Sequence, residues 1–201
     1  ALRKYETKDE VMEHTARAQY IGYRDIEGVS NTSDVETYFA IQAFIDSDTW
    51  RGTPFLIEGG KGMPEDKIDI AVQFRRHTPC VCNITDRAHK HGNRVLFTIS
   101  PQQKVEIRFW AKKPGLVYEL EEQELGFTYN SEEVAPDAYA QVVHDALRGS
   151  RTIFPSAKEI EASWAFVTPI LREWDTTPFT FYGPETCPDA QSLLEDKIRD
   201  N

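Results

Sequence analysis

Between about residues 35 and 130 the chain alternates short apolar runs with Gly, Pro and polar turns. In KIDIAVQF, Ile68, Ile70, Val72 and Phe74 alternate with Lys67, Asp69, Ala71 and Gln73, the period-two pattern of a half-buried strand. Val105, Ile107 and Phe109 repeat it in KVEIRFW. VETYFAIQAFI, TPFLIEG, RVLFTIS and ELGFTY are further β-branched or aromatic runs bounded by turn residues, and they too read as strands. Consecutive strands without intervening helices predict an antiparallel sheet with one face covered.

The flanks carry a different period. TKDEVMEHTARAQ, at 7–19, predicts a helix with Thr7 as N-cap and acidic residues suited to the first-turn dipole. Beyond the strands, APDAYAQVVHDALRG stops at Gly149, PSAKEIEASWAFVTPILREW starts at Ser156, and CPDAQSLLEDKIRD predicts a last helix. The order helix, sheet, helices predicts one α+β domain over residues 1–201, with the helices packed on the sheet's inner face. Trp50, Trp110, Trp164 and Trp174 fall inside these patterns and read as core, whereas the acidic run ELEEQE reads as a solvated turn or strand end.

Composition narrows the class. A 40% hydrophobic and 28% charged chain of 201 residues has enough apolar side chain for a substantial core, so a disordered chain is excluded. Its longest apolar runs, such as Val95–Ile99, are too short to span a bilayer. ALRKYETKDE carries charges where a signal peptide would be apolar, and three cysteines cannot all pair. Reduced thiols in the cytoplasm are the expectation. A net charge of −10 argues against a broad basic face for nucleic acid or an anionic membrane.

The densest chemistry is HTPCVCNITDRAHKH, which holds three of the five histidines and two of the three cysteines. Zinc asks for about four ligands in paired spacings. Here Cys80 and Cys82, and then His89 and His91, leave single-residue gaps that match no common zinc motif, with His77 spare. The second pair would also face opposite sides of any strand. The stretch is therefore expected to be a polar, metal-free hairpin loop. Asn83-Ile-Thr85 is a formal glycosylation sequon, of little meaning without secretion. There is no G-x-G-x-x-G, no P-loop and no G-x-S-x-G elbow. Neither His14 nor His144 has a nucleophile nearby in sequence, and His144 reads as a packing or surface residue of its helix.

RAQY at 17–20 and DVETYFAIQAFIDSDTWRGTPFLIEGGKGM at 34–63 resemble the C-terminal domain of glucose-6-phosphate dehydrogenases. That family's Arg-Gly-Gln-Tyr-like entry, T-x-T-F-like strand, RW-x-G-V-P-F segment and GK turn correspond to Arg17–Tyr20, Glu36–Phe39, Thr49–Phe55 and Gly60–Lys61. The similarity continues through ISPQQKV, KKPG, PDAYAQVVHDALRGSRTIF, EIEASWAFVTPILREW and YGPE, in order, across nearly the whole chain. It implies a large, mainly antiparallel sheet backed by helices, a sheet that in the family also builds a homodimer. Family members carry an upstream Rossmann half with a glycine-rich NADP loop, a DHYLGKE-like substrate motif and a base histidine, none of which occurs here. The implied reaction of the intact enzyme is NADP-dependent oxidation of glucose 6-phosphate to 6-phosphogluconolactone in the pentose phosphate pathway. This chain alone is expected to be inactive, with no catalytic residue and no cofactor of its own.

Residue by residue, the resemblance implies that Lys61 reaches the sugar phosphate, an ammonium on a Gly-Gly-Lys turn being able to approach a dianion closely. Ser100 stands where the family usually has a sugar-binding glutamine, and Asp66, beside Lys67, where many members have a second basic residue. Where some members bind a structural NADP through arginines, this chain has Glu58, Ala71 and Thr98, leaving Lys67 and Arg108 as basic remnants. A non-catalytic oligomerisation or regulatory module derived from the family stays open as the alternative. A zinc-stabilised binding module would rest on the Cys/His stretch alone.

Overall fold

The computed structural model describes residues 2–75, 92–117, 119–129, 138–183, 186 and 190. In chain order the elements are α1 (Lys8–His14), β1 (Thr15–Tyr20), β2 (Tyr38–Phe44), β3 (Pro54–Gly60), β4 (Ile68–Gln73), β5 (Arg94–Ser100), β6 (Lys104–Lys112), β7 (Leu120–Thr128), α2 (Ala138–Arg148), α3 (Ala157–Trp174) and β8 (Thr180–Tyr182). The Cys/His stretch at 77–91 lies outside the described residues, as does the predicted last helix apart from Ala190.

The described residues form an α+β structure of two compact units, one from residues 1–64 and 138–201 and one from 65–137, each with a four-stranded sheet. The first sheet has the order β3-β2-β1-β8. α1 starts as the sequence predicts, the Thr7 hydroxyl accepting from Glu10 N–H at 3.2 Å. It ends earlier than predicted, at His14, and the rest of the expected helix is β1. Thr15 closes the last turn by donating its hydroxyl to Val11 O at 2.7 Å. From there the backbone pairs on both sides, antiparallel with β2 and parallel with β8. Two ladders outweigh the weak helical preference of a segment such as TARAQ.

One core of this unit joins Tyr5, Val11, Ile41, Ala43, Phe166, Ile170 and Trp174, so α1 and α3 cover β2. Phe166, Ile170 and Trp174 recur every four residues and form the buried stripe of α3. Burying such a side chain contributes about 1.5–3 kcal/mol. Trp164 lies off that stripe and Trp50 sits in the loop before β3, so these two, expected in the core, are 63% and 45% exposed. A second core joins Ala18, Tyr38, Ala40, Tyr182 and Ala190. α3 opens with a capping box: Ser156 Oγ accepts from Glu159 N–H, and Glu159 Oε2 accepts from Ser156 N–H at 2.6 Å.

The second unit is an antiparallel meander, β4-β5-β6-β7. Register aligns Ile70, Phe97, Val105 and Phe127 in one row and Val72, Val95, Ile107 and Leu125 in the next. The sequence pattern predicts β4 half buried, yet every residue of it is exposed, because no described helix belongs to this unit. ELEEQE, expected as a turn or strand end, forms the first half of β7, where Glu124 accepts from Arg108 Nε at 2.9 Å. Among the described residues no helix is long and apolar enough to cross a membrane.

Candidate functional site

β3 runs out through Gly59 and Gly60 into Lys61 and Gly62, a turn that passes over aromatic rings. A Cβ on Gly62 would lie 2.7 Å from Tyr20 Cε2, and Gly62 has φ +61°, a conformation that suits only glycine here. A Cβ on Gly60 would meet Met63 Sδ at 2.8 Å and Tyr38 Cδ2 at 2.9 Å. The rings come from neighbouring strands: Tyr20 ends β1, Tyr38 starts β2 and Tyr182 ends β8. Tyr182 meets Tyr20 and Tyr38 edge-on, with centroids 5.8 and 5.7 Å apart.

The backbone of Lys61 is held at both ends. Its N–H donates to Thr37 O at 2.8 Å. Its C=O accepts from the Tyr182 hydroxyl at 2.6 Å, an oxygen that also lies 3.1 Å from Thr37 O. Thr37 Oγ1 accepts from Tyr20 N–H at 2.7 Å and lies 3.2 Å from the Tyr182 oxygen, to which it can donate. The Lys61 side chain itself is exposed and forms no ion pair among the described residues.

RAQY frames the same place. Arg17 donates to Thr177 O, pairs with Glu36 at 3.5 Å and lies over the Phe179 ring, which ties the approach to β8 against β1. Gln19 Nε2 donates to Ser33 O and Val35 O at 2.9 and 2.8 Å, holding the segment that leads to Thr37.

The other sequence candidates belong to the second unit. Ser100 closes β5 opposite Ile68 and precedes a cis peptide bond to Pro101. Lys67 pairs with Glu65 at 3.1 Å and Asp69 at 3.7 Å; the hydrogen bond to Glu65 is the main reason its pKa rises. Arg108 is taken up by Glu124. In the first unit, Glu58 accepts from the Tyr38 hydroxyl at 2.9 Å. Among the described residues no group of His, Cys, Asp and Glu could hold a metal ion. The structure therefore gathers Tyr20, Thr37, Tyr38 and Tyr182 around Lys61. None of these four stood out as a site residue in the sequence; the available signals were RAQY, Glu36–Phe39 and YGPE, motifs that carried only the family resemblance.

A mixed sheet covered by helices, an antiparallel meander and a glycine-flanked lysine on a braced turn define an α+β fold that presents an exposed cation. The family described as glucose-6-phosphate dehydrogenase, C-terminal domain, matches residues 1–199. The chain is 31% identical over 209 residues to glucose-6-phosphate 1-dehydrogenase of Borreliella burgdorferi, covering 97% of this chain and 43% of that protein. It is 34% identical over 158 residues to the Chlamydia trachomatis enzyme, covering 77% and 36%. A solved glucose-6-phosphate dehydrogenase in complex with its substrate glucose-6-phosphate superposes with a TM-score of 0.78 at 28% identity, over 99% of this chain and 42% of that one. A crystal structure of the Mycobacterium avium glucose-6-phosphate 1-dehydrogenase, 24% identical, shares the fold with a TM-score of 0.77, over 98% and 40%. The chain belongs to the glucose-6-phosphate dehydrogenase family and corresponds to its C-terminal domain. It spans less than half the length of these relatives.

Proposed function

We propose that residues 1–201 act as one substrate-binding and dimerisation domain of a cytoplasmic, NADP-dependent glucose-6-phosphate 1-dehydrogenase of the pentose phosphate pathway. The observation that carries the reading is the Lys61 turn: an ammonium with no ion pair among the described residues, on a backbone held at both its N–H and its C=O. Such a cation forms charge-assisted hydrogen bonds with a phosphate dianion and, fixed in advance, gives up little conformational freedom on binding. Ser100, the weaker sugar-binding candidate, lies in the second unit. In the whole enzyme, a Rossmann domain N-terminal to this one would hold NADP as hydride acceptor, with a base to take the C1 hydroxyl proton. This chain's part is to hold and orient the phosphate end.

A second, structural NADP does not fit the described residues. Lys67 and Arg108, its basic remnants, are matched by Glu65, Asp69 and Glu124.

Assembly rests on the second sheet. Its apolar rows stay exposed in this chain, with Ile70 at 54%, Phe127 at 59% and Leu125 at 61%. A contiguous apolar face of this kind marks an interaction surface. The proposed occupant is the same face of a second copy, giving a homodimer. This exposed face and Asp66 also favour the alternative, a non-catalytic oligomerisation or regulatory module.

Kinetics separate the two. In the full-length protein carrying this domain, Lys61→Met is expected to raise KM for glucose 6-phosphate at least about tenfold, the scale of a lost hydrogen bond to a charged group. An unchanged KM overturns the substrate role. The purified chain alone is expected to reduce no NADP with glucose 6-phosphate, and measurable turnover would overturn its reading as a partial enzyme.

A further inference from the structure

In the lysine turn, the peptide between Lys61 and Gly62 is the one whose orientation rests on side chains. The bond from Lys61 N–H to Thr37 O fixes the peptide before Lys61 but not the one after it. Glycine accepts both signs of φ, so Gly62 offers little resistance to rotation of that second peptide. Two things oppose it: the Tyr20 ring under Gly62 and the Tyr182 hydroxyl on the Lys61 carbonyl at 2.6 Å. Tyr182 is 1% exposed, and its oxygen is itself oriented by the Thr37 hydroxyl at 3.2 Å. The direction in which the lysine leaves the turn is thus set from β8, a strand far along the chain from β3.

We propose that Tyr182 is a positioning residue for Lys61: its hydroxyl holds the Lys61–Gly62 peptide in one orientation and so sets how tightly the domain grips the phosphate of its sugar-phosphate substrate. The proposal rests on the reading of Lys61 as the phosphate ligand. Tyr182→Phe removes the donor and keeps the ring packed on Tyr20 and Tyr38. In the full-length dehydrogenase this variant is expected to raise KM for glucose 6-phosphate about fivefold to tenfold, with kcat and the KM for NADP within about twofold of wild type, since one neutral hydrogen bond is at stake.

A purely structural tyrosine would instead lower the melting temperature without a selective change in KM. In a Lys61→Met background, adding Tyr182→Phe is expected to change nothing further. A full additional rise there would mean that Tyr182 does not act through Lys61 and would overturn the proposal. If Lys61→Met alone leaves KM unchanged, the Lys61 reading fails. If Lys61→Met raises KM and Tyr182→Phe does not, the positioning role fails while the Lys61 reading stands. Should Tyr182→Phe not fold, Thr37→Val removes the hydroxyl that orients Tyr182. It is expected to raise KM selectively, with Thr37→Ser restoring it, and an unchanged KM in Thr37→Val would overturn the proposal.

Discussion

His14 Nδ1 donates to Gln42 Oε1 across 2.7 Å, joining the last residue of α1 to β2 within the core, under the ring of Tyr5 stacked 5.2 Å away. A side-chain carbonyl can only accept, so Nδ1 carries the proton. His14→Leu would leave the buried Gln42 carbonyl without that donor. The expected loss is about 1–3 kcal/mol of stability, read as a lower urea midpoint at constant slope.

Tyr5 gives this core an alkaline limit. Its hydroxyl donates to Gln42 O, and burial pushes its pKa up to about 12, against a smaller downward pull from Arg3. An unfolded tyrosine ionises near about 10. The folded state therefore holds the proton longer, and the stability this contributes is complete below the unfolded value and lost as pH rises through the folded one. The stability difference between wild type and Tyr5→Phe is expected to shrink across that window. A difference that stays constant in urea unfolding at successive alkaline pH values would contradict it.

Glu159 sets an acid counterpart at the start of α3. The hydrogen bond from Ser156 N–H holds its carboxyl below the usual carboxylate range. A lowered folded pKa contributes stability above the unfolded pKa that disappears as pH falls through the folded one. Glu159→Gln is thus expected to be less stable than wild type at neutral pH and to match it in acid, as thermal melts across pH would record.

Gly62→Ala tests the turn itself. The side chain meets both a left-handed backbone and the Tyr20 ring. A loss of at least about 1–2 kcal/mol is expected from the backbone alone. In the full-length protein a raised KM for glucose 6-phosphate should accompany it. A variant as stable as wild type would show that the turn tolerates a Cβ.

Charge placed in the second sheet tests assembly. Ile70 and Phe97 lie opposite each other across β4 and β5. Phe97→Glu puts a carboxylate into the proposed dimer face, where desolvating it is costly. Sedimentation is expected to show wild type as a dimer and the variant as a monomer with an unchanged circular dichroism spectrum. A monomeric wild type at micromolar concentration would remove the dimer proposal.

The sequence alone determined those features whose physics is local. Alternation in KIDIAVQF and KVEIRFW marked β4 and β6 because side chains on a strand point to opposite faces at every step. Thr7 and Ser156 were legible as caps because a cap bonds within three residues of itself. Gly-Gly-Lys-Gly declared a turn with a reachable cation for the same reason. Tertiary structure decided what depends on distant partners. TARAQ became a strand because β2 and β8 flank it, and the three-residue β8 exists only by pairing with β1, Ala18 against Thr180. Trp164 left the core because the stripe of α3 is set by what α3 covers. The bracing of Lys61 was hidden for the same physical reason: the bond from Tyr182 joins groups 121 positions apart, and it forms only once the sheet has brought β8 alongside β1.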